Sequence, residues 1–560
     1  MVICMANSRH AQSLTQRAVI GLIVTALAGL GLTAIVSPAP AQAAVGDLLF
    51  NSCVSNGSLA GCVTSPVASL DRAGPVVVSP DNRFVYVASE GSNTITRFNR
   101  DSTTGALAFA DCISNTALAG CATAPAQSLA GAFDLSLAPD GTSLYVASGV
   151  SSAVTAISLN TTTGSLTFNS CISNTALAGC TQAPTASLGN VFGVATSPDG
   201  RFVYSGARAS SAVTTFSRNT ATGTLTVVGC LSNAVLAGCA TAPVASLEFV
   251  QNLEISPDGA SLYATDQPTP GGAITAFTRN TSTGALTFVN CITNVAIAGC
   301  TTAPAPSLGG LAQVVVSPDG KNVYAAGRDS GAVTTFVRSP GNGALTFASC
   351  ISSLALAGCT TAGANSLRSA YGMAISWDGL NIYVAAFDSG AMTAFTRNTS
   401  TGVLAFNGCF SNTALAGCTT NPAASLASAI GVAVSPNGAS VYVGAQIGSS
   451  AVTTYSRVSR SAQWAVGCGA PPRTPKGIAR NGLTRLAKKG CRTNAGQSVK
   501  VTVKCRALLR GDQRLCRLIK KAKGETWIRT YGYHLAITVT WSAPAKWIYL
   551  PYRNFEKYRT

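Results

Sequence analysis

The fold is decided at Ser197-Pro198-Asp199-Gly200-Arg201-Phe202-Val203-Tyr204, where a turn leads into an apolar run. Pro, Asp and Gly in this order are typical of a tight turn, and the apolar residues after them are typical of a buried strand. An apolar run at 191–196 precedes the turn, and further runs at 212–217 and 224–228 follow it. The stretch 190–248 therefore predicts four short strands joined by turns rich in Gly, Pro and Asn.

The same unit recurs along most of the chain. Its tyrosine belongs to a series at nearly constant spacing, Tyr86, Tyr145, Tyr204, Tyr263, Tyr324, Tyr383 and Tyr442. Cysteine pairs with eight residues between them recur in step: Cys53 and Cys62, Cys112 and Cys121, Cys171 and Cys180, Cys230 and Cys239, Cys291 and Cys300, Cys350 and Cys359, Cys409 and Cys418. Self-similarity at one period indicates a repeat architecture. Four apolar strands per unit favour four-stranded sheets packed face to face around an axis, which is a β-propeller.

The two ends of the repeat region fix the number of blades. Gly46 to Ser52 matches a fourth strand that lacks its first three, and Ala451 to Ser456 matches a third strand that lacks its fourth. Joined, the two fragments complete one blade. We therefore predict an all-β, seven-bladed propeller over 44–460, closed by its N-terminal strand so that no long edge is left unpaired.

The cysteine pairs predict seven disulfides, each closing a ten-residue ring between the fourth strand of one blade and the first strand of the next. All seven rings then lie at one end of the propeller, here called the crown face. No His or carboxylate recurs with the thiols, so a metal site is not expected there. Two uses stay open: stapling of the loops, and a neutral contact surface for a small molecule or a protein.

The positive charge is concentrated at the C-terminal end of the chain. The net charge is +18, and residues 461–560 contain 21 basic and 3 acidic residues, so the whole excess lies in the last hundred residues. We predict a linker at 461–475 and a small, disulfide-bonded, β-rich basic domain at 476–560. Four cysteines in this part allow three pairings, and the sequence does not choose among Cys468, Cys491, Cys505 and Cys516.

The N-terminus has the pattern of a signal peptide. Arg9 and Arg17 precede an uncharged apolar run at 18–36, and Ala41-Gln42-Ala43 offers small residues for cleavage after Ala43. We expect residues 1–43 to be a signal peptide; because the run is long enough to span a membrane, a retained anchor is the alternative. An even number of cysteines beyond the signal fits an exported, oxidised chain. We therefore expect a secreted protein, with cell-wall association as the finer expectation.

The turn followed by Phe202-Val203-Tyr204, or by Asn322-Val323-Tyr324-Ala325 in another unit, resembles the bacterial YVTN-type repeat. It also resembles the seven-bladed lactonase-like propellers, which include 6-phosphogluconolactonases and a muconate cycloisomerase. The resemblance covers about 45–460 and implies lactone hydrolysis as a candidate activity. The cycloisomerase relatives use a channel histidine, whereas the histidines here are His10 and His534, both outside the propeller. The C-terminal domain resembles small basic domains of actinobacterial exported proteins.

The first strands of the blades show which residues line the central channel. Counted back from the residue before each Pro-Asp-Gly-type turn, positions one and three are apolar, and positions two and four are small or polar. Strand alternation places one set between blades and the other on the channel. Asp134, Asn252, Glu254 and Gln313 are therefore expected to line the channel. Asp134 and Glu254 are the carboxylates of this register, and they are candidate general acids or bases or, alternatively, hydrated lining residues.

Arginines are expected near the crown end of the channel. Arg72, Arg208, Arg328 and Arg368 lie in connections that open on the crown face. Arginine at a channel mouth binds carboxylate or phosphate bidentately, and ordinary surface charge is the alternative. No Ser-His-Asp set, metal cluster or phosphate loop is found in the sequence, so neither a cofactor nor a metal is expected.

Two classes of function follow from these features. The neutral propeller without histidine favours a secreted, non-catalytic binding or scaffold protein, expected to be a monomer. Its basic domain is expected to contact an anionic cell-surface polymer or lipid headgroups rather than nucleic acid, because the chain is exported; a basic surface kept for solubility is the bland alternative. The other class is a lactonase-type hydrolase, with Glu254 or Asp134 as base and Arg328 or Arg368 as the anion clamp.

Overall fold

The computed structural model of the chain describes residues 46–267 and 271–458 in full, and beyond them the backbone of eight further strands. The expected signal peptide lies outside the described residues, and of the expected linker only Ala465–Val466 is described. The described elements are all strands. Within this part of the chain, no helix is long and apolar enough to cross a membrane.

Seven sheets of four main strands form the propeller, as predicted. The inner strands are Ala73–Val78, Ala132–Leu137, Val191–Thr196, Val250–Ile255, Leu311–Val316, Ala370–Ile375 and Ala429–Val434. The second strands are Phe84–Ser89, Ser143–Ser148, Phe202–Ala207, Ser261–Asp266, Asn322–Gly327, Asn381–Ala386 and Ser440–Ala445. The third strands are Thr94–Arg100, Ala153–Leu159, Ala212–Arg218, Ala273–Arg279, Ala332–Arg338, Ala391–Arg397 and Ala451–Arg457. Blades 1 to 7 are numbered by these strands in chain order.

The outer strands complete the blades. They are Leu107–Ser114, Leu166–Ser173, Leu225–Ser232, Leu286–Thr293, Leu345–Ser352, Leu404–Ser411 and, for blade 7, Leu48–Ser55. A two-residue strand pairs in parallel with the end of each outer strand, at Val63–Thr64, Ala122–Thr123, Thr181–Gln182, Ala240–Thr241, Thr301–Thr302, Thr360–Thr361 and Thr419–Thr420. The predicted closure is confirmed, since Leu48–Ser55 pairs antiparallel with Ala451–Arg457 from Leu48↔Arg457 to Ser55↔Ala451.

All seven predicted disulfides of the propeller are present, and each joins an outer strand to the residue just before its two-residue strand. The bonded pairs are Cys53 and Cys62, Cys112 and Cys121, Cys171 and Cys180, Cys230 and Cys239, Cys291 and Cys300, Cys350 and Cys359, and Cys409 and Cys418. The prediction of ring loops from the cysteine spacing is therefore confirmed in every blade.

The disulfide rings contact one another from blade to blade. A glycine in each ring abuts the segment that follows the preceding ring. At Gly61, whose φ is +84°, an added Cβ would lie 3.2 Å from the Cβ of Ala423. The rings therefore form a belt that continues around the crown face.

The opposite end of the propeller, here called the turn face, holds neighbouring blades together through buried polar groups. Tyr145 of blade 2 donates a hydrogen bond from its hydroxyl to the carbonyl of Gly223 in blade 3, at 2.8 Å. Arg218 of blade 3 returns a hydrogen bond from Nε to the same hydroxyl at 2.7 Å. The Arg218 guanidinium also pairs with Asp140 of blade 2 at 2.9 Å. We call this Asp–Arg–Tyr set a junction set.

Beyond residue 458 the described backbone is also β. Leu483–Ala487, Thr526–Thr530 and Cys516–Lys520 form one three-stranded sheet in that order. Lys500–Ala507, Leu535–Ala543 and Tyr552–Arg559 form a second, and Ala465–Val466 pairs with Arg492–Thr493. The pairing among Cys468, Cys491, Cys505 and Cys516 lies outside what the structure describes.

Candidate functional site

A β-bulge in every inner strand shapes the crown end of the channel. In blade 3, Val191 pairs with Ala207 and Gly193 with Gly206, so Phe192 is an extra residue between them. The same shift occurs in all seven inner strands. It adds a row to the channel, here called the bulge row: Gly74, Phe133, Phe192, Gln251, Ala312, Tyr371 and Ile430. A bulge re-aims side chains in this way because it interrupts strand alternation.

Strict alternation missed the bulge row, although the sequence contains a signal for it. The residue just before each bulge residue is apolar in every blade: Ala73, Ala132, Val191, Val250, Leu311, Ala370 and Ala429. Alternation from the small or polar positions predicts a channel residue there. The alternation of apolar with small or polar residues thus breaks at the same position in all seven repeats, which indicates one inserted residue there.

The four polar residues expected in the channel all line one cavity. It measures about 330 Å³ and is bounded by Asp134, Asn252, Glu254 and Gln313 together with most of the bulge row. A second space of about 170 Å³ lies against the same four residues and also reaches Ser136 and Thr196. The four polar residues thus line both spaces of the channel.

Three of these side chains also bridge neighbouring blades. Asp134 Oδ2 accepts a hydrogen bond from the backbone N–H of Val194 at 3.0 Å. In the same way Asn252 Oδ1 accepts from the backbone N–H of Val314, and Gln313 Oε1 accepts from that of Met373. Part of the role of Asp134, Asn252 and Gln313 is therefore structural.

The two carboxyl groups are the electrostatic centre of the cavity. Burial raises the pKa of Asp134 to about 7, against hydrogen bonds from the backbone N–H groups of Val194 and Leu135 that lower it. Burial and then the nearby charge of Asp134 raise the pKa of Glu254 to about 8. Both residues are half-buried along the channel. Asp134, which is held by two N–H donors, is the first of the pair to lose its proton.

The bulge row forms an aromatic wall at the crown end of the cavity. The rings of Phe133 and Phe192 are stacked with their centroids 4.0 Å apart. The guanidinium carbon of Arg208 lies 3.4 Å from the centroid of the Phe192 ring, in a cation–π contact. The half-buried Arg208 donates to the side-chain oxygens of Gln251 and Gln267, so these partners leave its charge without a counter-ion.

Tyr371 closes the wall from the other side. Gln251 of blade 4 donates from Nε2 to the hydroxyl of Tyr371 of blade 6 at 2.9 Å. The blade between them contributes Ala312, whose small side chain leaves room for this contact. Hydrogen bonds and ring contacts thus run from Phe133 in blade 2 to Tyr371 in blade 6.

The other three predicted arginines are placed less favourably. Arg72 has a side chain 48% exposed and forms an ion pair with Glu90 at 3.6 Å. Arg328 pairs with Asp329 at 2.9 Å, and its charge acts on Arg208 and Tyr371. Arg368 is exposed on the crown face. The structure therefore places Arg208 against two residues of the cavity wall, Phe192 and Gln251, whereas sequence reasoning preferred Arg328 or Arg368 as the anion clamp.

Part of the propeller matches the model of a known protein family. The family model described as "Lactonase, 7-bladed beta-propeller" matches residues 59–168 and 113–290, a span that contains Asp134, Arg208 and Glu254. The propeller thus resembles the lactonase family. This lactonase-like propeller has no match among curated proteins.

Solved structures with a similar fold include two enzymes named for lactone chemistry. A periplasmic gluconolactonase of Pseudomonas aeruginosa is 19% identical, with 67% of this chain and 97% of that chain covered and a TM-score of 0.44. A provisionally assigned 6-phosphogluconolactonase of Bacteroides fragilis is 17% identical, with 66% and 95% covered and a TM-score of 0.45. Likeness at this level does not extend to activity.

Proposed function

We propose that the propeller hydrolyses a lactone or a similar small ester in its central channel. The observation that carries the proposal is the carboxyl pair, Asp134 and Glu254, which faces one cavity within the segment that matches the lactonase family model. The sequence alone favoured a non-catalytic binding protein because the propeller has no histidine. A carboxylate paired with a carboxylic acid supplies a base and an acid without histidine. The hydrolase hypothesis is therefore the better supported of the two.

The order of the two pKa values assigns the roles of base and acid to Asp134 and Glu254. Burial raises both pKa values, and the two backbone N–H donors that hold Asp134 keep its pKa below that of Glu254, so in the singly protonated pair Asp134 is the carboxylate and Glu254 the acid. Asp134 takes a proton from a water molecule as the water oxygen adds to the carbonyl carbon of the lactone. Glu254 gives its proton to the ring oxygen as the bond between the carbonyl carbon and that oxygen breaks. The product is a hydroxy acid, and the proton on Asp134 returns to Glu254 through solvent.

The remaining walls favour a small substrate with an apolar part. A cavity of about 330 Å³ is at the lower end of the range for small-molecule sites. Phe133 and Phe192 offer an apolar surface, and Arg208 adds a positive charge whose hydrogen-bond partners are neutral amides. Such a charge stabilises the carboxylate that the reaction releases.

A panel of lactones of different ring size tests the proposal. The wild type is expected to open at least one of them, and Asp134→Asn and Glu254→Gln are each expected to lower kcat about a hundredfold or more. Glu248→Gln is the matched control, because it makes the same chemical change on the same blade at an exposed position of the crown face. Turnover that survives in both channel variants, or absence of turnover on every lactone, contradicts the proposal and favours the non-catalytic binding protein.

We further propose that the protein works outside the cytoplasm. The seven disulfides indicate an oxidising compartment, extracellular or periplasmic. N-terminal sequencing of protein recovered from the culture medium and from the cell envelope tests export. A mature chain that begins at Ala44 supports cleavage of the signal, and an intact N-terminus in the membrane fraction supports the retained anchor instead.

A further inference from the structure

The last strands of the chain arrange positive charge in a regular way. Leu535–Ala543 is the middle strand of an antiparallel sheet, flanked by Lys500–Ala507 and Tyr552–Arg559. The register aligns residues of the three strands in rows. Read across the middle strand, these rows are Lys500, Ser542, Arg553; Thr502, Thr540, Phe555; Lys504, Thr538, Lys557; and Arg506, Ala536, Arg559.

These four rows share one face of the sheet, because their residues are two apart on every strand and alternate residues share a face. Six cationic residues therefore belong to that face, three on each outer strand, with Thr, Ser and Ala between them on the middle strand. Glu556 is the acidic residue of the three strands, and its register position belongs to the opposite face. We call the first face the cationic face.

The opposite face has a different character. Its register positions include Val501, Val503, Ile537, Val539 and Trp541. A sheet with apolar residues on one face and charged residues on the other packs its apolar face on a core and leaves the charged face to water. The register thus places the six cationic positions together on one face of the sheet, opposite the apolar positions.

We propose that the cationic face binds a linear polyphosphodiester of the cell surface, with the polymer lying along Leu535–Ala543 between the two outer strands. Neighbouring rows are about 6.8 Å apart along the strands, and the outer strands are about 9.6 Å apart, so cations flank such a polymer on both sides. Arginine and lysine on both flanks suit phosphate, which arginine binds bidentately. This proposal is independent of the chemistry in the propeller channel.

The distribution of aromatic residues separates this partner from nucleic acid. Sequence-independent binding of single strands relies on aromatic residues on which several bases stack. Phe555 is the aromatic residue of the cationic face, whereas Trp541, Tyr552 and Tyr558 have register positions on the opposite face. A phosphodiester chain without bases therefore fits the cationic face better than a nucleic acid does.

The test uses the full chain and poly(glycerol phosphate) as the probe, with Kd measured over a range of salt concentrations. The variant Lys504→Gln, Arg506→Gln, Lys557→Gln, Arg559→Gln removes four cations of the face. It is expected to bind about a hundredfold more weakly at 0.15 M salt, with a salt slope reduced by about 0.7 for each lost phosphate contact. The matched control is Arg485→Gln, Arg517→Gln, Lys520→Gln, Arg529→Gln, which removes the same charge from the other three-stranded sheet.

Equal loss in the two variants means diffuse charge attraction and overturns the proposal, as does wild-type affinity in both. Lysine acetylation of the wild type, read by mass spectrometry, covers the case in which a variant fails to fold. Poly(glycerol phosphate) is expected to protect Lys500, Lys504 and Lys557 and to leave Lys520 reactive, and uniform protection overturns the proposal. Tighter binding to single-stranded DNA of matched charge, or to anionic lipid vesicles, assigns the face to those partners instead.

Discussion

The turn face and the channel of the propeller are built from the same seven repeats, yet one is nearly uniform and the other is not. Asp–Arg pairs occupy five of the seven blade junctions, at 2.8 to 3.2 Å. The row of the inner strands that contains Asp134, by contrast, reads Pro75, Asp134, Gly193, Asn252, Gln313, Gly372 and Gly431. Uniform positions meet a requirement that every blade shares, which is packing against its neighbour. Varied positions at the axis are where one blade differs from another, and they are where a specific chemistry has to lie.

The two irregular junctions support this division. Between blades 7 and 1, Asn437 stands where the other turns have Asp, and Arg100 still donates to the hydroxyl of Tyr442 at 2.7 Å. Between blades 1 and 2, Leu159 stands where the other third strands end in Arg. Arg97 takes over there, with a hydrogen bond to the carbonyl of Thr163 at 2.6 Å. Compensation of this kind means that the contact between blades is maintained even where the residue is not.

The largest expected effect comes from breaking one junction set. Arg397 has a side chain only 1% exposed, and it pairs with Asp319 at 3.0 Å while donating to the hydroxyl of Tyr324 at 2.8 Å. Arg397→Leu leaves these groups without their partner, so we expect a loss of about 3 kcal/mol in the free energy of unfolding. Arg83→Leu is the control for burial. Arg83 pairs with Asp81 and also donates to the carbonyls of Thr161 and Thr162 in blade 2, but the Arg83 and Asp81 side chains are 50% and 41% exposed, so the change is expected to cost less than about 1 kcal/mol.

Denaturant unfolding of both variants measures the difference. Equal stabilities of Arg397→Leu and Arg83→Leu contradict the view that the junction sets hold the blades together. Catalytic activity per folded molecule is expected to be unchanged in both variants, since neither residue touches the channel.

The fold was predictable from the sequence because its determinants repeat. The series of tyrosines, the turns and the two end fragments fixed seven blades and their closure, and alternation placed Asp134 and Glu254 in the channel. The crown end of the channel was less predictable, for two physical reasons. One inserted residue per inner strand reverses the alternation of side chains between the two faces. Strict alternation therefore did not predict that Phe192 and Tyr371 line the channel. The choice of Arg208 over the other arginines depends on reach across blades, which local sequence does not encode.

The channel carboxyls are expected to reverse the usual effect of pH on stability. The pKa values of Asp134 and Glu254 are raised to about 7 and about 8, so above pH 4 the unfolded chain releases protons that the folded chain keeps. Stability contributed by these groups is therefore fully present below about pH 4 and is lost as pH rises towards 8. Asp266, whose pKa burial raises to about 6, contributes in the same direction.

The carboxylates of the junction sets act in the opposite direction. Although burial raises the pKa of Asp378, the charge of Arg457 and hydrogen bonds outweigh it and hold that pKa below its usual value, so its contribution is lost as pH falls through the acid range. Thermal unfolding between pH 5 and 8 reports on the channel carboxyls together with Asp266, and comparison of Glu254→Gln with the wild type isolates the contribution of Glu254. We expect Tm to fall over this range in the wild type and in Glu248→Gln, and to fall less in Glu254→Gln, where Gln does not titrate. An identical slope in Glu254→Gln would show that Glu254 is not the buried, protonated group described here.

The smallest expected effect compares one substitution at the two regions. Tyr324→Phe removes a buried hydroxyl that donates to the carbonyl of Gly402 and accepts from Arg397, both at 2.8 Å. Because it leaves buried partners unsatisfied, we expect it to cost about 1 to 3 kcal/mol of stability with no change in KM. Tyr371→Phe removes a hydroxyl that accepts from Gln251 where both residues line an open cavity, so its stability is expected to stay within about 1 kcal/mol of the wild type.

Tyr324→Phe and Tyr371→Phe are also expected to differ in their steady-state kinetics. Tyr371 and Gln251 close the crown end of the cavity, and the carboxyl pair lies deeper in the channel. Loss of the hydroxyl frees Gln251 and, through it, Arg208, so we expect Tyr371→Phe to change KM several-fold on the lactone that the wild type opens while kcat is retained. Steady-state kinetics of both variants beside their thermal unfolding checks this. If Tyr371→Phe lowers stability as much as Tyr324→Phe and leaves KM unchanged, the wall at the channel mouth is one more contact between blades rather than part of the site.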